Sequence, residues 1–123
     1  MGRVVKKNRN GGLWTEARYW QQVRSFLRKA FRFWKPATDS LERSKRIYEG
    51  ENKRQKWEYQ CNKCKEYFPR KTVQIDHKIP VGSLKGEEDL IAWLRRLTPE
   101  DTNAYQVLCS SCHKMKSLEE RKK

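Results

Sequence analysis

Between Leu13 and Trp34 apolar residues recur at spacings of three and four: Trp14, Ala17, Trp20, Val23, Leu27, Ala30, Phe31 and Trp34. That period predicts an amphipathic helix, with Thr15 as its cap and Pro36 ending it. Arg18, Arg24, Arg28, Lys29 and Arg32 fall mainly on its other faces. The aromatic stripe is read as packing against the domain, and the basic residues as candidates for phosphate contacts. A second helix is predicted over about Thr38 to Glu49, capped by Asp39 or Ser40, with Gly50 just past its end. In residues 51–61, Trp57 and Tyr59 alternate as in a short strand, leaving Lys53, Arg54 and Lys56 exposed. Val73 and Ile75 alternate with polar neighbours and predict a strand ending in Asp76 and His77, whose side chains must point to opposite faces. Residues 87–97 read as helix, with Leu90, Ile91, Leu94 and Leu97 on one side. Tyr105–Leu108 returns as a strand, and a last helix runs from about Ser110 toward Glu120 with His113 in its first turn.

Charge changes what such a set of elements is for. The 123 residues carry 29 Lys and Arg against 15 Asp and Glu, a net charge of +14. Residues 1–60 hold +10 of it and residues 61–123 the remaining +4. So large an excess repels itself and is relieved by a polyanion, nucleic acid before an anionic membrane surface, because no segment pairs a clean apolar face with a basic one at the chain end. Hydrophobic residues make up only 36%, equal to the charged fraction, so the core is thin and calls for a staple. No apolar run approaches a membrane span and no export segment is evident, so a cytoplasmic protein without membrane partners is expected.

The staple is written in four cysteines, Cys61/Cys64 and Cys109/Cys112. Two thiolates three positions apart on a tight knuckle reach one ion, and two knuckles complete a tetrahedron around structural Zn2+. A disulfide framework is the alternative in a secreted chain. Cys109-Ser110-Ser111-Cys112-His113 also spells a haem-attachment sequence, but that reading leaves Cys61 and Cys64 idle and does not explain the charge.

Cys61-x2-Cys64, then Asp76-His77-x2-Pro80, then Asn103 followed by Val107-Leu108-Cys109-x2-Cys112-His113-x2-Lys116, stand in the order of a known family. Over residues 61–116 the chain resembles the HNH endonucleases in their zinc-bearing form. The resemblance implies an α+β fold: a ββα-metal core over residues 57–123 with a four-cysteine zinc site, preceded by a helical basic extension over 13–56 and a flexible basic tail over 1–12. It implies hydrolysis of DNA phosphodiester bonds, by nicking or cutting with low sequence specificity. His77 would take the proton from water; Asp76 and His113 would hold one catalytic divalent ion, Mg2+, Mn2+ or another. Short members of this kind resemble those carried by bacteriophages, which implies genome packaging proteins such as terminase as partners. Lys53, Arg54, Lys78, Lys114 and Lys116 join the basic residues of the first helix as candidate DNA contacts. The family's middle Asn commonly stands five residues before the second CxxC, which here is Ala104. Asn103 is one residue earlier, and its implied role is to tie the two strands and steady His77. The alternative to an enzyme is a noncatalytic zinc-stapled nucleic-acid-binding module in which both histidines are incidental.

Overall fold

The computed structural model describes residues 5–121; residues 1–4 of the expected tail lie outside the described residues. Among the described residues the fold is α+β, with four helices and two small antiparallel sheets. The chain divides into two compact units, neither continuous in sequence. One takes the described residues through Trp34 together with Pro80–Thr98, and the other takes Lys35–Ile79 together with the residues from Pro99 onward. The boundary expected near residue 57 falls inside the second of these units.

The first unit is built on α1 (Glu16–Phe31) and α3 (Leu90–Leu97). Thr15 caps α1 as expected, its hydroxyl accepting from the Arg18 N–H at 3.1 Å. Ahead of it, residues 9–14, which begin in the stretch expected to be a flexible tail, fold back on themselves through Asn10, Gly11 and Gly12, all at positive φ. Arg9 then closes on Glu16 with two hydrogen bonds of 2.9 Å and lies over the Tyr19 ring. The Arg9 guanidinium, with the Trp20 indole N–H, holds the Glu16 carboxyl down at about 2.

The core of this unit is Trp20, Val81, Leu84, Trp93 and Leu97, with Tyr19, Val23, Leu27, Phe31, Leu90 and Leu94 packed around it. The stripe on α1 is narrower than its periodicity predicts, since Ala17 and Ala30 face outward. On α3, Ile91 is exposed and Trp93 is buried. The large indole decides how α3 rolls: it fills the interior and donates its N–H to the Gly82 carbonyl at 3.2 Å. Leu97→Ala should cost about 2–5 kcal/mol through lost burial and a cavity, read as a lower urea midpoint. An unchanged midpoint would mean that this core does not contribute to the stability of the chain.

The second unit holds α2 (Lys35–Ser44), a sheet of β1 (Lys45–Ile47), β2 (Trp57–Gln60) and β3 (Tyr67–Phe68), a ribbon of β4 (Val73–His77) and β5 (Tyr105–Cys109), and α4 (Ser110–Arg121). Its second helix differs from expectation at both ends. It begins at Lys35, so Pro36 opens the helix, where its missing N–H costs nothing. Asp39 sits inside and pairs with Lys35 at 2.7 Å, and Ser40 bonds back to the Ala37 carbonyl. The helix also stops early, because Lys45, Arg46 and Ile47 pair with Tyr59, Glu58 and Trp57 as a strand. Helix propensity loses there to a sheet edge that only the fold supplies.

The ribbon runs from Val73 opposite Cys109 at one end to His77 opposite Tyr105 at the other. α4 follows β5 without a loop and turns back along it, packing on both strands. Among the described residues no helix is long and apolar enough to cross a membrane.

Candidate functional site

Two constellations stand at opposite ends of the β4–β5 ribbon. At the Val73/Cys109 end, the sulfurs of Cys61, Cys64, Cys109 and Cys112 all lie within 4.8 Å of one another. The first pair sits on a turn after β2. Its return is made by Lys65 at φ 66, a left-handed position, with the Lys65 N–H bonded to the Cys61 carbonyl and the Cys61 N–H to Glu66. The second pair bridges the end of β5 and the first turn of α4, where the Cys112 N–H points at the Cys109 sulfur at 3.5 Å. The knuckle is docked on β5 by the Asn62 N–H, which donates to the Val107 carbonyl at 2.8 Å.

None of the four thiols is bridged, and their chemistry fits a cation. Burial pushes the Cys61 thiol up, but backbone N–H groups of Cys109, Cys64 and Lys63 outweigh it and bring it down to about 6. The hydrogen bond with Cys109, burial and the charge of Cys61 together push the Cys112 thiol up to about 12. Four thiolates so close repel one another unless a positive ion lies among them. Sulfurs at about 2.3 Å from a tetrahedral ion stand about 3.8 Å apart, inside the observed spread. The cluster can hold a metal ion.

At the other end, Asp76 and His113 come together although β4 and α4 are far apart in sequence. The Asp76 Oδ1 lies 3.8 Å from the His113 Nε2, with both side chains largely shielded from solvent. The Asp76 Oδ2 is held separately, by the Lys116 ammonium at 3.1 Å and the Gln106 amide at 2.9 Å. His113 and Lys116 are three apart on α4 and so share a face, which lies along Asp76 and the backbone of His77. Lys116 donates to the His77 carbonyl at 3.0 Å and pairs with Glu120 at 2.6 Å. Burial alone would lower its pKa; the bonds to Glu120 and Asp76 outweigh burial and hold the ammonium above its ordinary range.

His77 follows Asp76 and, as the alternation requires, turns to the other face of the strand. Its ring stands edge-on to Tyr105, with centroids 5.1 Å apart. Asn103, exposed in a short turn before β5, receives a hydrogen bond from Arg43 of α2 at 3.3 Å. The tie between the strand ends is a backbone one, from the Lys78 N–H to the Ala104 carbonyl at 3.0 Å. It falls on Ala104, the position at which the resemblance to HNH endonucleases leads one to expect an Asn. A cavity of about 210 Å³ beside β5 is lined by Arg43, Lys78, Asn103 and Gln106 among others.

The basic residues singled out along the sequence are spread over both units. Arg24 donates to the Leu84 carbonyl at 2.7 Å, Arg28 lies over Trp93, Arg18 over Trp14 and Arg32 over Phe33, all within the first unit. Lys29, Lys53, Arg54, Lys78 and Lys114 are exposed, whereas the N–H donors of Lys116 turn inward. Two contributors escape a reading by motif. Asn62 donates to the Gln106 Oε1 at 2.8 Å, and Gln106 in turn donates to Asp76, so one relay links the cysteine knuckle to the carboxylate. Only the register, Asp76 opposite Gln106, could have pointed to it. No protein-family model matches the chain, and no curated protein or solved structure does so at significance.

Proposed function

We propose that the chain is a metal-dependent DNA endonuclease of the HNH type, nicking or cutting phosphodiester bonds with little sequence discrimination, and that the ion among its four cysteines is structural zinc. One observation carries the reading: Asp76 and His113 meet at 3.8 Å at the end of a ribbon-then-helix unit, with His77 the next residue in the chain. The chain's two histidines are His113, beside Asp76, and His77, the next residue of β4. Two ligands of a single divalent ion, each at about 2.0–2.2 Å, stand about 3–4 Å apart, so the pair suits one ion.

In this reading Asp76 and His113 would hold the ion, through Oδ1 and Nε2, while Gln106 and Lys116 fix the carboxylate through Oδ2. A divalent ion bound there would neutralise charge at the scissile phosphate and at the departing 3′ oxygen. His77 takes the proton from the attacking water, and its edge contact with Tyr105 orients the ring. Lys116 holds α4 to the carbonyl of His77, so the base and the ion-holding pair keep one spacing. Arg43 and Lys78, in the neighbouring cavity, offer charge to the flanking phosphates. The products carry 5′-phosphate and 3′-hydroxyl ends.

Supercoiled plasmid incubated with the protein and Mg2+ or Mn2+ is expected to relax to nicked or linear forms, and a chelator to stop it. Asp76→Asn keeps the shape of the side chain but removes its charge, and should demand a much higher metal concentration for the same rate. A second reading has its own support. The Asp76 carboxylate is already paired with Lys116, as it would be in a noncatalytic zinc-stapled nucleic-acid-binding module. Inert protein with every metal would favour that module.

A further inference from the structure

A cleft in the second unit, of about 790 Å³, is lined by Trp57 and Tyr59 of β2 and by Arg54, Lys56, Arg70 and Lys71 from the segments beside it. We propose that this cleft binds unpaired nucleotides of a nucleic acid strand, a base stacking on Trp57 and the backbone phosphates pairing with Arg54, Lys56 and Lys71.

Four cations and no carboxylate line the cleft among the described residues. Glu58, the acidic residue of β2, lies on the opposite face of the strand and is held there by Arg46 at 2.6 Å. Trp57 and Tyr59 are two apart and share the face turned to the cleft. Trp57 keeps 40% of its surface exposed, although a chain this poor in apolar residues has every reason to bury an indole. The Lys45 ammonium, paired with Glu42 at 2.6 Å, lies over one face of that ring, 4.4 Å from its centroid, so a base would stack on the other face. The loop bearing the cations is set by a turn: the Gln55 N–H donates to the Asn52 carbonyl, the Arg54 N–H to the Asn52 side chain, and the Gln55 amide to the Trp57 carbonyl. Arg70 donates to the Val73 carbonyl at 3.0 Å and serves as wall.

The volume falls within the range of about 300–1,000 Å³ usual for small-ligand sites, enough for a base and its sugar. Flat aromatics flanked by cations, without anions, are the chemistry that holds single strands: the ring takes any base face, the cations follow the backbone. A duplex hides its base faces, and an acidic peptide has none to stack.

A chain of charge +14 binds any polyanion, so the decisive readout is the part of binding that depends on Trp57. The experiment measures anisotropy of labelled oligothymidylate and oligouridylate, about eight nucleotides long, on the full chain, with a duplex hairpin and polyglutamate as competitors. Trp57→Ala should weaken either single strand about tenfold or more, and Trp57→Phe only about threefold, because stacking survives. Arg54→Gln and Lys71→Gln should each lower the slope of log affinity against log salt by about 0.7. If Trp57→Ala perturbs folding by circular dichroism, oligothymidylate should still quench the emission that wild-type protein has over Trp57→Phe. Wild-type affinity in both Trp57 variants with unquenched Trp57 emission, or polyglutamate competing as well as the oligonucleotide, overturns the proposal. The measurement needs no cleavage and is repeated in His77→Ala protein. A failed plasmid assay and a failed cleft are therefore separate results.

Discussion

Cys61→Ser or Cys109→Ser is expected to unfold the second unit, and removing the metal with a strong chelator to do the same. Both residues are buried, and each packs with Leu108, Phe68 and Cys112 in a cluster that has little else apolar in it. The sulfurs join three segments of the unit: the turn after β2, the end of β5 and the first turn of α4. Ion binding by such a site contributes about 10–16 kcal/mol in small zinc domains. A whole domain is stable by only about 5–15 kcal/mol. Losing one thiolate therefore exceeds what the remaining core of Val73, Tyr105, Val107 and Leu108 can offset. The loss should appear as reduced ellipticity and the disappearance of a cooperative melt, and elemental analysis of wild-type protein should give one zinc per chain. A serine variant that melts like wild type, or a wild-type protein that folds fully without metal, would remove the staple from the account.

His77→Ala is expected to lower plasmid cleavage by about 10²–10⁴ while leaving DNA binding intact, because general-base assistance is worth about that much. The substitution is at the last residue of β4, where the strand pairing is made by backbone groups that alanine retains. The lysine that docks α4 bonds the His77 carbonyl, and alanine keeps that carbonyl too. A fall in rate with an unchanged melt would therefore report chemistry. Equal activity in both proteins would be evidence against His77 as the base. Activity that vanishes together with the melt would mean instead that the edge contact with Tyr105 is structural.

Local rules make several elements legible. Thr15 as a cap, the strand ending at Asp76 and His77, the return strand at Tyr105 and the helix carrying His113 depend on near neighbours in sequence, and the structure has each of them. The four-cysteine cluster is legible for the same reason, since a CxxC spacing constrains each half of a metal site before the chain folds. What failed was decided at longer range. The helix expected to reach Glu49 ends at Ser44, because β2 offers hydrogen bonds to Lys45–Ile47. The outward turn of Ile91 follows from where Trp93 finds a cavity. The Lys116 side chain, exposed by any composition argument, points inward because Asp76, Glu120 and the His77 carbonyl converge on it.

By itself, then, the sequence determined the net charge of +14, the two knuckles, and the residue types at the ribbon's end: a carboxylate, two imidazoles and a lysine. These are properties of composition and short spacing, which no folding alters. Only the tertiary structure decided which of those side chains meet. Register set Gln106 opposite Asp76, and the reversal of α4 along the ribbon brought His113 within 3.8 Å of that carboxylate. It likewise decided that residues 80–98 leave the ribbon to pack with α1, and that Trp57 stays half open beside four cations. The reason is common to all: a strand pairs, and a helix rolls, according to partners that lie dozens of residues away, and their positions exist only once the chain is folded.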